Sequence, residues 1–192
     1  MSRGQEVNFL HANMEMFIYN SMRLARYDVT KEACAAGLDE STEEGKALQN
    51  FRNAYRYLID TPDREIDYPY LCELHHILME GLMDSVNNEL TDEQIVQVRE
   101  MINQPAKANT EIAIDVMLYI LEKRLFADGD VRVALMFANK ILLENGNGII
   151  SIPESRDNEF RAFLKGKHSM DDPEAFKSWV FTWCLRGIKN DY

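Results

Sequence analysis

The sequence predicts an all-α fold, a helical bundle with two buried central helices. Three observations support this prediction. Apolar residues recur at helical spacing through most of the chain. Two segments, residues 110–124 and 131–145, are apolar on nearly every face, which is typical of helices at the centre of a bundle. Only one short stretch, GIISIP at 148–153, is extended, and we expect it to be too isolated to form a sheet.

The helices follow one another with few interruptions. The predicted helices cover residues 7–26, 42–60, 70–84, 92–103, 110–124, 131–145, 154–165 and 174–187. In the second, Leu48, Phe51 and Tyr55 recur at i, i+3 and i+7, which predicts one apolar face. A linker at 27–41 is expected to separate the first two helices.

Several helix ends carry recognisable capping residues. Thr91 and Gln94 have the spacing of a capping box. Gly146 follows a predicted helix as the residue that ends it. Asp172 and Pro173 supply an N-cap and a first-turn proline to the last helix.

Composition excludes some classes of partner. The chain has 192 residues, with 21 Lys and Arg against 32 Asp and Glu, so its net charge is −11. We therefore predict one domain that repels polyanions and binds neither nucleic acid nor an anionic membrane. Cys34, Cys72 and Cys184 are odd in number and lie far apart. They are expected to be reduced thiols of a cytoplasmic protein.

The loop between the two central helices is the candidate site. Residues 125–130, LFADGD, form a short glycine-containing connection into a buried helix. Free N–H groups and the helix dipole both favour a negative charge at such a place. A simple tight turn would account for the same pattern. His75 and His76 are adjacent on a predicted helix and cannot chelate together, so one should pack and the other should be solvated.

Residues 125–153 resemble the core of the Fic/Doc (Fido) family, including one bacterial branch of it. The family motif is His-x-Phe-x-Asp/Glu-Gly-Asn-Gly/Lys-Arg, often followed by Ala-Asn in the next helix. The positions of this sequence that match are Phe126, Asp128, Gly129, Arg132, Ala138 and Asn139. The resemblance covers roughly residues 40–190. It implies a helical bundle with a small β-flap, which the short interval before the loop predicts to be reduced or absent.

The resemblance also implies a domain organisation and a chemistry. It implies one Fic-like domain over residues 1–192, with an N-terminal helix at 1–40 and the core at 41–192. Most members transfer AMP from Mg-ATP to a hydroxyl of a protein target, and Doc-like members transfer phosphate. Gly129, Asp130 and Arg132 would then belong to the nucleotide site, and Phe126 would anchor the loop.

The departures from the motif point away from that chemistry. Arg124 holds the position of the catalytic His, which is the general base. Arginine stays protonated, and loss of a general base typically costs about 10²–10⁴ in rate. Asp130 replaces the motif Asn, and its carboxylate would repel a phosphate. Because Asp130 stands where an N-cap belongs, we expect its side chain to fill the helix terminus.

A second resemblance concerns residues 19–30. Many Fic proteins carry an inhibitory Ser/Thr-x-x-x-Glu segment whose Glu grips a second motif arginine. Here Ser21 is kept, but Ala25 replaces the Glu and Leu135 replaces the arginine. The alternative is an N-terminal helix that only packs.

Two functions remain open. The first is a Fic-like pseudoenzyme that no longer transfers AMP and acts by binding a protein partner. The second is an active Fic/Doc-type transferase of altered chemistry or donor, in AMPylation or phosphoryl transfer. It would use Asp128, with Asp130, to hold a metal ion through two carboxylates.

Overall fold

The structure, a computed structural model, describes residues 2–83, 90–165 and 172–187. The prediction of an all-α bundle is confirmed. The helices are α1 (Arg3–Leu24), α2 (Lys31–Ala36), α3 (Glu43–Asp60), α4 (Tyr68–Met79), α5 (Asp92–Ile102), α6 (Asn109–Lys123), α7 (Asp130–Glu144), α8 (Asp157–Lys165) and α9 (Pro173–Trp183). A 3₁₀ turn, Glu154–Arg156, precedes α8, and the strands are β1 (Ile149–Ile150) and β2 (Leu185–Arg186).

Helix α7 is the centre of the fold. Every residue from Val133 to Leu143 is buried, and α7 packs against α1, α3, α4, α6 and β1. Its principal neighbour is α6, as the two apolar segments predicted. Helix α6 lies nearer the surface than α7, and Glu111, Asp115 and Tyr119 form a partly exposed stripe on it at i, i+4 and i+8. No helix in the described ranges is both long and apolar enough to cross a membrane.

The predicted helix ends are confirmed where local side chains cap them. Thr91 and Gln94 form the expected capping box at the start of α5. The Asp172 carboxylate accepts the backbone N–H of Ala175, with Pro173 in the first turn of α9. Gly146 has a φ of +64°, a left-handed conformation that favours glycine just after a helix.

Four local predictions are wrong. The predicted linker contains α2, which begins because the Thr30 hydroxyl accepts the N–H of Ala33. The stretch at 148–153 is not isolated, because β1 pairs antiparallel with β2. The last helix therefore ends at Trp183, and the residues that follow enter the sheet. Helix α4 also ends at Met79, earlier than the predicted range of 70–84.

The two-stranded sheet is tied to α7 by one side chain. Asn139 is buried; its amide donates to the carbonyl of Ile150 at 2.9 Å, and its oxygen accepts the N–H of Ile150 at 2.7 Å. These two hydrogen bonds give Asn139, of the Ala138-Asn139 pair, a structural role. The described residues between α4 and α6 form α5 and turns, so the one sheet of the described ranges lies after α7.

A buried charge connects α7 to the end of α3. The Lys140 side chain is 0% exposed, and its ammonium donates to the carbonyl of Thr61 at 2.5 Å. It pairs with Glu144 at 2.6 Å and lies 5.2 Å from the centre of the Tyr70 ring. Glu144 also pairs with Arg3 of α1 at 2.8 Å. Helices α1, α4 and α7 and the end of α3 therefore meet at one internal ion pair.

Candidate functional site

The loop between α6 and α7 is held by a buried aromatic pair. Phe126 lies in the core and stacks on His75 of α4, with ring centres 4.0 Å apart. The Nε2 atom of His75 is 2.7 Å from the carbonyl oxygen of Asp128. His75 is buried and His76 is exposed, as their adjacent positions predicted. The contribution of α4 to this loop has no local signal in the sequence.

The two carboxylates of the loop are bonded to the loop itself. Asp130 accepts the N–H of Phe126 at 3.1 Å, and Asp128 accepts the N–H of Gly129 at 2.7 Å. The expectation that Asp130 caps α7 is wrong, because Gly129 is the N-cap and no side chain caps the helix. Asp130 is already the first helical residue, and helical side chains lean toward the N-terminus. Its carboxylate therefore reaches back across the loop.

Burial raises the pKa of Asp130 from an ordinary value of 3.8 to about 6. The neighbouring Asp128 carboxylate raises this pKa further, while the Phe126 N–H and Arg124 oppose the increase. An acid whose pKa is raised by folding binds protons more tightly in the folded protein. Its contribution to stability is present at low pH and is lost as the pH rises from about 4 to about 6.

Replacing Asp130 by asparagine should remove this pH dependence. The Asn oxygen can still accept the N–H of Phe126, and no buried charge develops. We expect Asp130→Asn to be more stable than the parent at pH 7 by about 1–2 kcal/mol, allowing for partial solvent screening. At pH 4 the difference should vanish. Urea unfolding of both proteins between pH 4 and pH 7 measures it, and parallel pH profiles would contradict the assignment.

Glycine is required at position 129 by both conformation and space. Gly129 has a φ of +85°, and a Cβ atom there would lie 2.6 Å from the sulfur of Met79 and 3.1 Å from Nε2 of His75. We expect Gly129→Ala to lower the free energy of unfolding by about 1–3 kcal/mol. Gly4→Ala is the control, because nothing lies within 4 Å of a Cβ atom at that helical position. Equal stability of the two variants in urea unfolding would contradict the prediction.

A cavity of about 320 Å³ lies beside the loop and is called the loop cavity below. Its charged lining comes from the loop, the turn after α1 and the ends of α6, α7 and α8: Arg26, Arg124, Asp128, Asp130 and Lys165. Arg26 and Arg124 have φ values of +72° and +47°, and they are the non-glycine residues with positive φ in the described ranges. Backbone strain of this kind tends to accumulate at functional sites. Arg26 and Lys165 are cavity residues that sequence reasoning missed.

The N-terminal segment reaches the loop through Tyr27, another residue that sequence reasoning missed. Arg132 donates to the Tyr27 hydroxyl at 3.0 Å, and this hydroxyl donates to Glu43 at 3.0 Å. The guanidinium carbon lies 5.3 Å from the centre of the Tyr27 ring. The Nη1 atom of Arg132 is buried and has no hydrogen-bond partner. Arg132 is therefore bound to the N-terminal segment.

The residues matched to the inhibitory segment lie elsewhere. Ser21 is buried, donates to the carbonyl of Phe17 at 2.9 Å and lies 3.3 Å from the Tyr55 hydroxyl. Ala25 follows the last residue of α1 as its C-cap. The structure instead places Arg26 and Tyr27, which follow the matched position Ala25, next to the loop.

Mg-ATP, which the motif resemblance implies, would find part of the donor set of this loop engaged. Phosphates would need N–H groups and a guanidinium, but Phe126 and Gly129 donate to carboxylates and the Nη2 atom of Arg132 donates to Tyr27. The uncapped start of α7 and the buried Nη1 atom of Arg132 are the donors that remain. In the described ranges no three His, Cys, Asp or Glu side chains are grouped so that they could hold a metal ion. Asp128 as a metal ligand gains no support from this arrangement.

Comparison with known proteins gives a clear result for the fold. No family model matches the sequence, and no curated protein matches it. Among solved structures, residues 134–508 of Fic-1 from C. elegans superpose with a TM-score of 0.74 at 16% identity, over 88% of this chain and 59% of that one. A Fic domain containing signaling protein from Bacteroides thetaiotaomicron gives 0.62 at 14% identity, over 93% and 82%. This chain therefore has the fold of Fic-domain proteins, and it spans less than two thirds of the Fic-1 chain.

Proposed function

We propose that this Fic-fold chain is a pseudoenzyme that no longer transfers AMP and acts by binding a protein partner. One observation carries the proposal. Both carboxylates of the core loop are bonded to the loop's own N–H groups, Asp130 to Phe126 and Asp128 to Gly129. A phosphate would need hydrogen-bond donors at this place, and two negatively charged carboxylates already accept hydrogen bonds there.

The residue at the general-base position supports the same proposal. Arg124 is exposed and closes α6 in a left-handed conformation. A guanidinium cannot accept the proton of an attacking hydroxyl. No histidine occurs between His76 and His168 in the sequence, so none is available from the loop or from α7.

The engagement of Arg132 is the third support. In the motif resemblance this arginine belongs to the nucleotide site. Here its Nη2 atom donates to Tyr27, and Tyr27 is fixed in turn by Glu43. A nucleotide would have to displace this buried pair before the guanidinium could reach a phosphate. The loop thus presents carboxylates to the cavity, and its motif arginine is bonded to the N-terminal segment.

The alternative is an active transferase of altered chemistry or donor. The loop cavity favours it, because Arg26, Arg124 and Lys165 place three cations around a space of about 320 Å³. A donor with fewer phosphates, or a phosphorylated small molecule, would be attracted there. The balance falls toward the pseudoenzyme, because the same cavity holds both loop carboxylates, and Arg124 stands where the motif has its catalytic histidine.

The proposal is tested by labelling with ATP, GTP, CTP and UTP. The parent protein is compared with a repaired variant, Arg124→His with Asp130→Asn. A control variant, Lys123→His with Glu122→Gln, makes the same changes of residue class on the adjacent turn of α6. We expect label on the repaired variant alone. Self-labelling of the parent would defeat the pseudoenzyme and favour the alternative. Micromolar binding of Mg-ATP to the parent in calorimetry would show that the loop carboxylates do not exclude the nucleotide.

A further inference from the structure

An apolar groove lies between α9 and the beginning of α6, at the opposite end of α6 from the loop cavity. It has a volume of about 390 Å³, and its apolar lining comes from Ala108, Ile114 and Phe181. Phe181 is 57% exposed, the largest exposure of any large apolar side chain in the described ranges. An exposed aromatic side chain beside an apolar groove is a common anchor of protein interfaces.

The rim of this groove carries an excess of carboxylates. Lys177 pairs with Asp115 at 2.7 Å and with Glu174 at 2.9 Å, and Lys107 pairs with Asp115 at 2.6 Å. The groove itself is lined by two carboxylates, Glu111 and Glu174, and one ammonium group, Lys177. Asp115 and Lys107 are adjacent partners of these residues. Both lysines make their shortest ion pairs with Asp115, the least exposed of the three acids.

Two of the rim carboxylates retain capacity for a further cation. Glu111 is 43% exposed, and the lysine nitrogens nearest to it are 3.7 and 3.8 Å away, beyond hydrogen-bond distance. Glu174 is 80% exposed and contacts one lysine. Protein interfaces commonly have an apolar core and a polar rim, and the apolar floor of this groove with carboxylates at its edge has that arrangement.

We propose that this groove, called the α6–α9 groove, binds a basic amphipathic helix of a partner protein. An apolar residue of that helix would pack on Phe181 and Ile114, and its Lys or Arg side chains would pair with Glu111 and Glu174. The inference rests on the proposed function, since it gives the protein-binding role a surface and a partner of stated chemistry.

Charge selects this partner over a second copy of the chain. A second copy has the same net charge of −11 and presents the same carboxylate rim, so approach of two such faces is repelled. A basic helix is attracted by both the rim and the whole molecule. Its binding should therefore weaken as salt is raised.

The test uses two fluorescent amphipathic peptides of equal length, one of leucine and lysine and one of leucine and glutamate. Anisotropy is measured at low and high salt. We expect the basic peptide alone to bind. Phe181→Ala should weaken its binding about tenfold, as truncation of an interface anchor does. Because Phe181 is exposed, the variant should keep the parent melting temperature, which is measured alongside.

A matched pair of charge variants separates the groove from general attraction. Glu111→Gln with Glu174→Gln should weaken binding several-fold and reduce its salt dependence. Glu93→Gln with Glu100→Gln makes the same change in net charge on the exposed face of α5 and should leave binding unchanged. Equal loss in both pairs, binding of a lysine and serine peptide as tight as that of the leucine peptide, or no effect of Phe181→Ala would overturn the proposal.

Occupancy by a second copy is the remaining outcome. Light scattering of the parent should report a monomer, and a dimer that dissociates in Phe181→Ala would show that the groove serves self-association and overturn the partner assignment. The outcome is separable from that of the labelling experiment. Nucleotide transfer by the parent would defeat the pseudoenzyme, while the peptide titration would still report directly on the groove.

Discussion

Replacing Lys140 by alanine should lower the free energy of unfolding by about 3–5 kcal/mol, the range for breaking a buried ion pair. The Lys140 side chain is fully buried in α7 and makes its shortest contacts with the carbonyl of Thr61 and the carboxylate of Glu144. Alanine removes both contacts and leaves a cavity beside Tyr70. Urea unfolding at pH 7 measures the loss.

Two companions identify the source of the Lys140 effect. Lys140→Met keeps the volume and removes the charge, so it should cost less than Lys140→Ala; Glu144 would keep its pair with Arg3, 2.8 Å away. Lys123→Ala removes an exposed lysine from α6 and should change stability by less than about 0.5 kcal/mol. If Lys140→Ala unfolded at the same urea concentration as Lys123→Ala, the internal ion pair would have no role in stability.

Replacing Asn139 by alanine should cost about 2–4 kcal/mol, because the amide serves both the N–H and the carbonyl of Ile150. Removing it leaves two buried backbone groups without partners. Asn13→Ala is the control, since its amide makes one part-buried bond to the carbonyl of Phe9. Urea unfolding should place the control close to the parent.

Asn139→Asp adds a pH-dependent form of the same test. A carboxylate can accept the N–H of Ile150 but cannot donate to its carbonyl, whereas a protonated carboxyl can donate. The folded state should therefore favour the protonated acid, and stability should fall as the pH rises above the ordinary range for Asp. Asn139→Ala should show no such fall relative to the parent. A flat difference between the parent and the Asp variant would mean that the amide does not hold β1.

The helices were predictable because their signals are local. Apolar spacing and caps such as Thr91 with Gln94 act within a few residues, and the structure agrees at those places. The pairing of β1 with β2 was not predictable, because its two strands lie far apart in the sequence and each has two residues. Helix α2 was missed for another reason: Lys31–Ala36 is too short for periodicity to appear.

The residues of the candidate site likewise include some that the sequence predicts and some that it does not. Phe126, Asp128, Gly129 and Asp130 are close in space because they share one short loop, which the sequence makes visible. Tyr27 and the cavity residues Arg26 and Lys165 come from other parts of the chain. Arg26 and Tyr27 lie within the segment 19–30 that resembles the inhibitory segment, but the matched positions there were Ser21 and Ala25, and Lys165 carries no local sign of its role. The sequence predicted Asp130 as the N-cap of α7. In the structure the left-handed Gly129 is the N-cap, and Asp130 is the first residue of the helix.

Helix α1 has a consequence for how the protein folds during synthesis. Its side chains bond far along the chain: Glu6 accepts the N–H of Gly148 at 2.9 Å, Asn20 donates to Ser151 at 2.9 Å, and Tyr19 donates to Glu154 at 2.7 Å. All three partners emerge from the ribosome long after α1. Contacts between residues so far apart in the sequence form late, because the entropic cost of closing the loop comes before the contacts can stabilise the chain. The nascent chain must therefore keep the apolar face of α1 from aggregating until α7 and the strand after it have been made.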